Sequence, residues 1–209
     1  MATFIEISTT NLGKKFGTEW IYKGFSHTFV PNNVYTFLGN NGSGKSTLLK
    51  TLAGMMPQTQ GSIQYLKEKQ PLSIDYWFRT IAYAAPYLEL TEEFTLSESI
   101  DFHEKFKKLL ISKHELIDEL NFTKNTAIKP LKFFSSGMKQ KLKLALALYS
   151  DTPVIFLDEP TANFDKTNLL WYQKQLLHYK KDRIILLASN LPEEYDFLTT
   201  IPLELAAYK

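Results

Sequence analysis

The sequence predicts an α/β fold with a mostly parallel central β-sheet and a helical insert. Residues 154–157 and 184–188 are apolar at every position, which is typical of strands at the centre of a sheet that is covered on both faces. A third short strand, at 34–38, leads through a glycine-rich turn into a helix. Because strands that alternate with helices favour parallel pairing through helical crossovers, we expect an α/β core.

The N-terminal part of the chain contains further strand signals. Short apolar or alternating stretches bounded by turn residues occupy positions 3–9, 25–30, 61–65 and 79–84. We expect the N-terminal ones to form an antiparallel β subdomain beside the core. A helix predicted over 45–54 ends at Gly54, and Pro86 closes the last of these strands.

From about residue 87 to residue 150 the sequence becomes helical. Thr95 and Ser112 are each followed three residues later by a glutamate, the pattern of a capping box at a helix N-terminus. We predict one helix over 97–110, whose basic run is a solvated face. Ser135 is the natural N-cap of a later helix, whose Leu- and Ala-rich sequence indicates burial on most sides.

Composition narrows the class of protein. The 209 residues suit one domain, 1–209, with the helical subdomain inserted in it. The 24 basic and 22 acidic residues are nearly balanced, so we expect no nucleic-acid partner. There are no cysteines, and no apolar run approaches the roughly 18 residues needed to span a bilayer. Because a secretion signal is also missing, we expect a soluble, cytoplasmic protein that contacts a membrane only through a partner.

Residues 39–47 carry the most informative motif. Their sequence, GNNGSGKST, satisfies G-x-x-x-x-G-K-[ST] between a strand and a helix, the context of a phosphate-binding loop. Glycines let successive N–H groups turn inward toward a phosphate, and the helix N-terminus adds its dipole. The alternative, an ordinary glycine-rich turn, is disfavoured by the flanking strand and helix. The chain is therefore expected to bind a nucleoside triphosphate.

Within this phosphate loop, Lys45 is expected against the β- and γ-phosphates, where it contributes to catalysis, and the Ser46 hydroxyl is expected to ligate Mg²⁺. The residues predicted to bind the nucleotide in this loop are Gly39, Asn40, Asn41, Gly42, Ser43, Gly44, Lys45, Ser46 and Thr47.

Two carboxylates follow the apolar strand at 154–157. After a phosphate loop, an Asp at this place helps to hold Mg²⁺, so Asp158 is a predicted metal-site residue. Glu159 is the predicted catalytic base that polarises the attacking water. Taken alone, such an Asp-Glu pair is more often a solvated strand end, but the upstream loop favours the functional interpretation.

The segment FSSGMKQ, at 134–140, opens the Leu- and Ala-rich helix. A helix N-terminus that presents the Ser135 and Ser136 hydroxyls and free N–H groups is a second predicted anion site. Gly137 would let the backbone approach a ligand closely. The alternative for the segment alone is a plain helix cap.

In order and spacing, these motifs resemble the nucleotide-binding subunit of an ABC ATPase, over about residues 3–200. The family signature LSGGQ appears here as FSSGM, and TANFD at 161–165 is similar to the loop that contacts the second subunit. Phe16, 23 residues before Gly39, resembles the aromatic residue that stacks on adenine. For Phe16 a place in the hydrophobic core is the alternative.

The resemblance implies a P-loop NTPase core that binds ATP and Mg²⁺. It also implies a homodimer in which each ATP lies between one phosphate loop and the partner's signature helix, where Ser135, Ser136 and Gly137 bind it. A separate transmembrane permease subunit would hold the protein at the inner face of the cell membrane. The alternatives are a non-transport ABC ATPase that acts on a soluble complex and, last, a GTPase-like switch, which lacks its N/T-K-x-D motif here.

Two positions depart from the family. Where the family has a Gln that contacts Mg²⁺ or water, this chain has Pro86, and where the family has a switch His, it has Asn190. Asn can still donate to a γ-phosphate oxygen but cannot carry charge, and loss of one such transition-state contact costs about 3 kcal/mol. Either hydrolysis is slow, with Asn190 as a neutral catalytic residue, or ATP binding matters more than turnover. The retained phosphate-loop lysine and both carboxylates favour slow hydrolysis.

Overall fold

The structure is a computed structural model that describes residues 4–208, apart from the side chain of Lys124. In chain order, its strands are β1 (Ile5–Phe16), β2 (Glu19–Phe29), β3 (Asn33–Leu38), β4 (Gln60–Lys67), β5 (Gln70–Leu72), β6 (Ile81–Ala84), β7 (Val154–Asp158), β8 (Ile184–Ala188) and β9 (Ile201–Glu204). Its α-helices are α1 (Lys45–Leu52), α2 (Trp77–Thr80), α3 (Leu96–Glu104), α4 (Lys113–Leu120), α5 (Lys124–Ala127), α6 (Ser136–Tyr149) and α7 (Lys166–Tyr179).

The strands form two sheets. The first is antiparallel, in the order β2-β1-β4-β5, and the second is parallel, in the order β6-β7-β8-β3-β9. Helices α3 to α6 lie between β6 and β7 in the chain. The predicted α/β fold, with its antiparallel subdomain and helical insert, is confirmed.

Side chains on the two faces of the parallel sheet enter two different hydrophobic clusters. Along β7, for example, Ile155 and Leu157 pack with the helical insert, whereas Val154 and Phe156 pack with α1 and the antiparallel sheet. All five residues of β7 and of β8 are buried. Because both faces need apolar partners, these strands have the continuous hydrophobic sequence from which they were predicted.

Both capping boxes are present, at the N-termini of α3 and α4. The helix predicted over 97–110 is wrong at its C-terminal end, because α3 stops at Glu104. Beyond it the chain pairs with the end of α6: the Leu110 N–H donates to the Tyr149 carbonyl at 2.7 Å, and the Asp151 N–H donates to the Lys108 carbonyl at 2.8 Å. With this tertiary pairing, the basic run at 105–108 lies outside the helix.

Other element boundaries also differ from the sequence-based expectation. The strand expected over 79–84 starts at Ile81, because the preceding residues form the short helix α2. The strand expected from residue 3 is observed from Ile5, and residue 3 lies outside the described part of the chain. Helix α7 and strands β5 and β9 were not predicted, since their sequences show neither a clear apolar stripe nor a regular alternation.

A buried guanidinium connects the C-terminal end of α6 to the start of β8. Arg183 is 6% exposed, and its two terminal nitrogens donate to the Leu148 carbonyl at 2.7 Å and the Ser150 carbonyl at 2.9 Å. The last carbonyls of a helix have no partner within the helix. Burial lowers the pKa of Arg183 from its ordinary value, but a guanidinium remains charged at neutral pH, and it gives the Leu148 and Ser150 carbonyls a charged donor.

Arg183→Met is therefore expected to lower the free energy of unfolding by about 2–4 kcal/mol, because two buried carbonyls lose a charged donor. Urea denaturation followed by circular dichroism measures this loss. Lys181→Met, at an exposed neighbouring position, is the matched control and should change stability by less than about 0.5 kcal/mol. Equal midpoints for the two variants would contradict this role of Arg183.

Candidate functional site

The candidate site lies at the carboxyl edge of the parallel sheet. In the sheet register Phe37 of β3 lies beside Ala188 of β8, and Ala188 lies beside Asp158 of β7. Since the strands are parallel, the segments that follow them leave the sheet at the same edge, which is where ligands bind in open α/β sheets. The three segments are the phosphate loop, residues 159–165 and residues 189–194.

Two glycines fix the path of the phosphate loop. Gly39 has φ +147° and Gly44 has φ +102°, and a Cβ atom would lie 2.7 Å from Ser43 Oγ at the first and 2.4 Å from the Ile21 side chain at the second. Both positions therefore exclude other residues on conformational and steric grounds. The Ser43 N–H donates to the Asn40 carbonyl at 3.0 Å, which closes the turn. Ser43 Oγ is buried and has no partner among the described residues.

Lys45, the first residue of α1, is 5% exposed. Its ammonium group donates to the carbonyl of Gly39 at 2.6 Å and to that of Asn40 at 3.2 Å, so the side chain folds back over the loop. Burial lowers the pKa of Lys45, and the charges of Glu159 and Asp158 partly offset this effect. A nearly buried cation beside a glycine-rich turn and a helix N-terminus fits the phosphate-binding role predicted from the sequence.

Asp158 is 1% exposed and joins the phosphate-loop helix to the centre of the sheet. Its Oδ1 accepts from Ser46 Oγ at 2.9 Å, although the two residues are 112 positions apart. Hydroxyl and carboxylate oxygens are the ligands that Mg²⁺ prefers, usually together with waters and phosphate oxygens. The pair therefore fits the magnesium site predicted from the sequence.

Two tyrosines that sequence analysis missed complete the surroundings of Asp158. Its Oδ2 accepts from Tyr87 Oη at 2.6 Å and from Tyr83 Oη at 3.4 Å. Burial, followed by the charge of Asp158 and hydrogen bonding, raises the pKa of both phenols, so the hydroxyls stay protonated as donors. The available signal was the place of Tyr87 in the sequence, directly after Pro86.

Glu159 is exposed beside the buried Asp158. Its backbone adopts φ +43°, in the left-handed region that non-glycine residues rarely occupy. The Glu159 N–H donates to the Ala188 carbonyl at 2.9 Å, which holds this conformation at the edge of the sheet. The geometry places an accessible carboxylate one residue beyond the candidate metal ligand. Against the larger effect of burial, which lowers the pKa of Lys45, the charge of this carboxylate raises it.

Asn190 lies just beyond β8 and contacts the phosphate loop. Its side-chain Nδ2 donates to Asn41 Oδ1. A second contact joins the same region to residues 159–165: the buried Glu194 accepts from the Thr161 N–H at 2.8 Å and from the Thr161 hydroxyl. Burial raises the pKa of Glu194. The segments after β7 and β8 are thus tied to each other and to the phosphate loop.

The signature segment does not join this cluster within one chain. Ser135 is the N-cap of α6 and accepts from the Met138 N–H at 3.2 Å, and both Ser135 and Ser136 are exposed. Among residues 4–208 no hydrogen bond links positions 135–137 to the phosphate loop. At Gly137 the close approach is to the same chain, because a Cβ atom there would lie 2.8 Å from the Asn163 carbonyl oxygen.

Phe16 and Pro86, two further residues singled out from the sequence, have contacts outside this cluster. Phe16 ends β1 with 49% of its surface exposed, which rules out the core alternative. Lys14 Nζ lies 5.1 Å from the centre of its ring. Pro86 follows β6, and its carbonyl accepts from Lys143 Nζ at 2.7 Å.

Within the part of the chain that the structure describes, none of the helices has the length and apolar character required to cross a membrane.

Comparison with known proteins identifies the family. The family model described as "ABC transporter" matches residues 22–162. An uncharacterized ABC transporter ATP-binding protein of Bacillus subtilis (strain 168), YybJ, is 29% identical over 203 residues, which are 95% of this chain and 92% of that protein. The Nod factor export ATP-binding protein I of Burkholderia lata is 31% identical over 198 residues, covering 92% of this chain and 65% of that protein.

Solved structures agree in fold. A putative ABC transporter ATP-binding protein from Pyrococcus furiosus superimposes with a TM-score of 0.80 at 21% identity, covering 97% of this chain and 98% of that one. A dimeric ATP-binding cassette in a post-hydrolysis state, bound to ADP and phosphate, has a TM-score of 0.75 at 19% identity and covers 95% and 96% of the two chains. With its phosphate loop and paired carboxylates at the carboxyl edge of such a sheet, the chain belongs to the ABC transporter family, among its ATP-binding subunits.

Proposed function

We propose that this protein binds and hydrolyses ATP as a subunit of an ABC transporter, and that it dimerises around two ATP molecules to drive a separate transmembrane permease subunit. The observation that supports this most strongly is the grouping of Lys45, Ser46 and Asp158 at one sheet edge, with Glu159 directly beyond them. This grouping combines a phosphate receptor, oxygen ligands for a cation and an accessible base.

In this proposal the phosphate loop, Gly39 to Thr47, surrounds the phosphates with backbone N–H groups, and Lys45 turns its ammonium from the loop carbonyls toward the β- and γ-phosphates. Ser46 and Asp158 hold Mg²⁺, which when bound supplies positive charge against the phosphate oxygens. The buried hydroxyl of Ser43 has no partner among the described residues, so it is available to donate to a phosphate oxygen. Phe16, half-exposed at the end of β1, stacks on the base.

Hydrolysis requires a base for the attacking water, and Glu159 has the accessible carboxylate for this role. Asn190 is the neutral counterpart of a switch histidine: its amide group contacts Asn41 of the phosphate loop and has N–H groups to offer to a γ-phosphate oxygen. Because Asn190 carries no charge, we expect slow turnover rather than none.

The signature segment supports the dimer. Ser135, Ser136 and Gly137 lie at the N-terminus of α6, the two serines are exposed, and no hydrogen bond of the described residues connects them to the chain's own phosphate loop. A second copy, placed head to tail, would bring its own signature segment onto the ATP of the first. The whole chain acts as one domain, and its helical insert docks on the permease at the cytoplasmic face of the membrane.

A second candidate function is that of a non-transport ABC ATPase acting on a soluble complex. The observation that favours it is Pro86, which removes the family's glutamine from the loop that contacts the transmembrane partner. Purification of the tagged protein from a detergent-solubilised extract of its native cells separates the two candidates: a polytopic membrane protein recovered at equal stoichiometry supports transport, and a soluble complex without one supports the alternative.

Glu159→Gln is expected to lower steady-state ATP turnover at least about 100-fold, because the attacking water loses its base, while the ATP-bound dimer persists. Phosphate release and light scattering on the same samples measure both properties. Glu68→Gln, on the turn between β4 and β5, is the control. An unchanged rate in Glu159→Gln would contradict the assigned base, and a wild type that neither dimerises with ATP nor hydrolyses it would contradict the proposed function.

Asn190→Ala is expected to lower turnover about 10- to 100-fold with the Kd for ATP changed less than about twofold, because the lost contact acts mainly in the transition state. Asn190→His should raise turnover above wild type. Single-turnover rates and equilibrium binding separate the two quantities, with Asn125→Ala on α5 as a control. If Asn190→Ala weakened ATP binding and hydrolysis equally, Asn190 would be a ground-state contact instead.

Phe16→Ala is expected to raise the Kd for ATP about tenfold, since stacking of a base on an aromatic ring contributes about 1–3 kcal/mol. Isothermal titration calorimetry measures the Kd directly. Phe4→Ala is a matched control, because Phe4 is 48% exposed and Phe16 is 49% exposed. Equal affinities for the two variants would show that Phe16 does not contact the base.

A further inference from the structure

The tyrosine contacts of Asp158 form a small, continuous network. Tyr87 Oη lies 2.6 Å from Asp158 Oδ2, and Tyr83 Oη lies 2.7 Å from Tyr87 Oη. Since Ser46 donates to the other oxygen, Oδ1, hydroxyl groups hold both oxygens of this buried carboxylate. Charge-assisted hydrogen bonds to both oxygens of a carboxylate fix its orientation.

The surrounding elements hold Tyr87 in place, although 43% of its surface is exposed. Lys50 of α1 has its ammonium 3.8 Å from the centre of the Tyr87 ring, a cation–π contact. On the other side, Lys143 of α6 donates to the carbonyls of both neighbours, Pro86 at 2.7 Å and Leu88 at 3.0 Å. The backbone of residues 86–88 is therefore fixed to the signature helix, and the side chain of Tyr87 is fixed between α1 and β7.

The second tyrosine is placed by the sheet itself. Tyr83 lies on β6, and its ring stacks on that of Phe156 in β7 with centres 5.7 Å apart and planes 16° apart. In this position its hydroxyl reaches Tyr87 Oη and, at 3.4 Å, Asp158 Oδ2. The Tyr83 hydroxyl thus restricts the position of the Tyr87 hydroxyl through their hydrogen bond.

We propose that Tyr87, supported by Tyr83, is the positioning residue that orients Asp158 for Mg²⁺ and connects the segment 86–88, and through Lys143 the signature helix, to the metal site. The proposal rests on the proposed function, in which Asp158 and Ser46 hold Mg²⁺ with ATP. Pro86 has no side-chain group to offer to a metal or a water. Instead, the hydroxyl of the next residue, Tyr87, donates a hydrogen bond to the Asp158 carboxylate.

The test measures how ATP binding depends on Mg²⁺. Tyr87→Phe removes the hydroxyl and keeps the ring beneath Lys50. Groups that orient metal ligands typically contribute 10- to 100-fold to metal affinity, so the Mg²⁺ concentration for half-maximal enhancement of ATP binding should rise about tenfold. The Kd for ATP in EDTA should stay within about twofold of wild type. A fluorescent ATP analogue, titrated with Mg²⁺ and in EDTA, gives both quantities.

Two further variants make the test specific. Tyr83→Phe should shift the Mg²⁺ dependence less than Tyr87→Phe, because the Tyr83 hydroxyl lies 3.4 Å from Asp158 Oδ2 and that of Tyr87 lies 2.6 Å from it. The double variant should shift it at least as far as Tyr87→Phe. Tyr76→Phe is the matched control: Tyr76 is 50% exposed, and its ring faces Arg79, whose guanidinium carbon is 5.4 Å away. Its titration should coincide with that of wild type.

The outcomes separate this inference from the proposed function. If wild type bound no ATP, or bound it without any effect of Mg²⁺, the proposed function would fail. If wild type bound ATP with Mg²⁺ dependence and Tyr87→Phe behaved identically, only the role of Tyr87 would fail. Equal weakening of binding with and without Mg²⁺ would also overturn it, since that result means a purely structural role.

Discussion

The hydrogen bond between Ser46 and Asp158 is the contact on which the site depends. It joins the first turn of α1 to the end of β7 across 112 residues of sequence, and it exists only because β3, β8 and β7 are adjacent and in register. A carboxylate that is 1% exposed needs hydrogen-bond donors on both oxygens, because an unpaired buried polar group is costly. The sheet order, the phosphate loop and the tyrosines all contribute to meeting that requirement.

Sequence reasoning worked where the signal is local. The phosphate loop, the buried strands β7 and β8 and both capping boxes follow from neighbouring residues, and the fold class followed from their order. It missed contacts that depend on the tertiary fold. The sequence around Tyr83 does not indicate that a carboxylate is its partner, and the sequence around Arg183 does not indicate that the end of a helix is. The overlong helix after Thr95 has the same origin, since pairing with the end of α6 ended it at Glu104.

Side chains link the three segments that leave the sheet edge and the segment that follows β6. Asn190 contacts Asn41, Glu194 accepts from Thr161, and Tyr87 donates to Asp158. The first two contacts each join segments that follow two different strands. The third joins Tyr87, which follows β6, to Asp158, the last residue of β7. A displacement of any one segment therefore strains a hydrogen bond to its neighbour, and because Glu194 and Asp158 are buried, breaking such a bond leaves a desolvated carboxylate without its donor. Under the proposed function, this makes the site's geometry respond as a unit to what binds at the phosphate loop.

Under the proposed function, the two predicted departures from the family, Pro86 and Asn190, differ in physical kind. Asn190, proposed to stand where the family has a titratable histidine, is neutral but still has an N–H donor, so in this proposal the change affects the strength of a contact rather than its existence. Pro86 has no side-chain group that can donate or accept a hydrogen bond, and its ring fixes its own backbone dihedral φ, next to Tyr87. With the Pro86 and Leu88 carbonyls held by Lys143, the Tyr87 side chain starts from a nearly rigid backbone, and its hydroxyl loses little conformational freedom on meeting Asp158. Under the proposed function, the segment 86–88 thus connects the helical insert to the proposed metal site through the Asp158 carboxylate rather than through the metal.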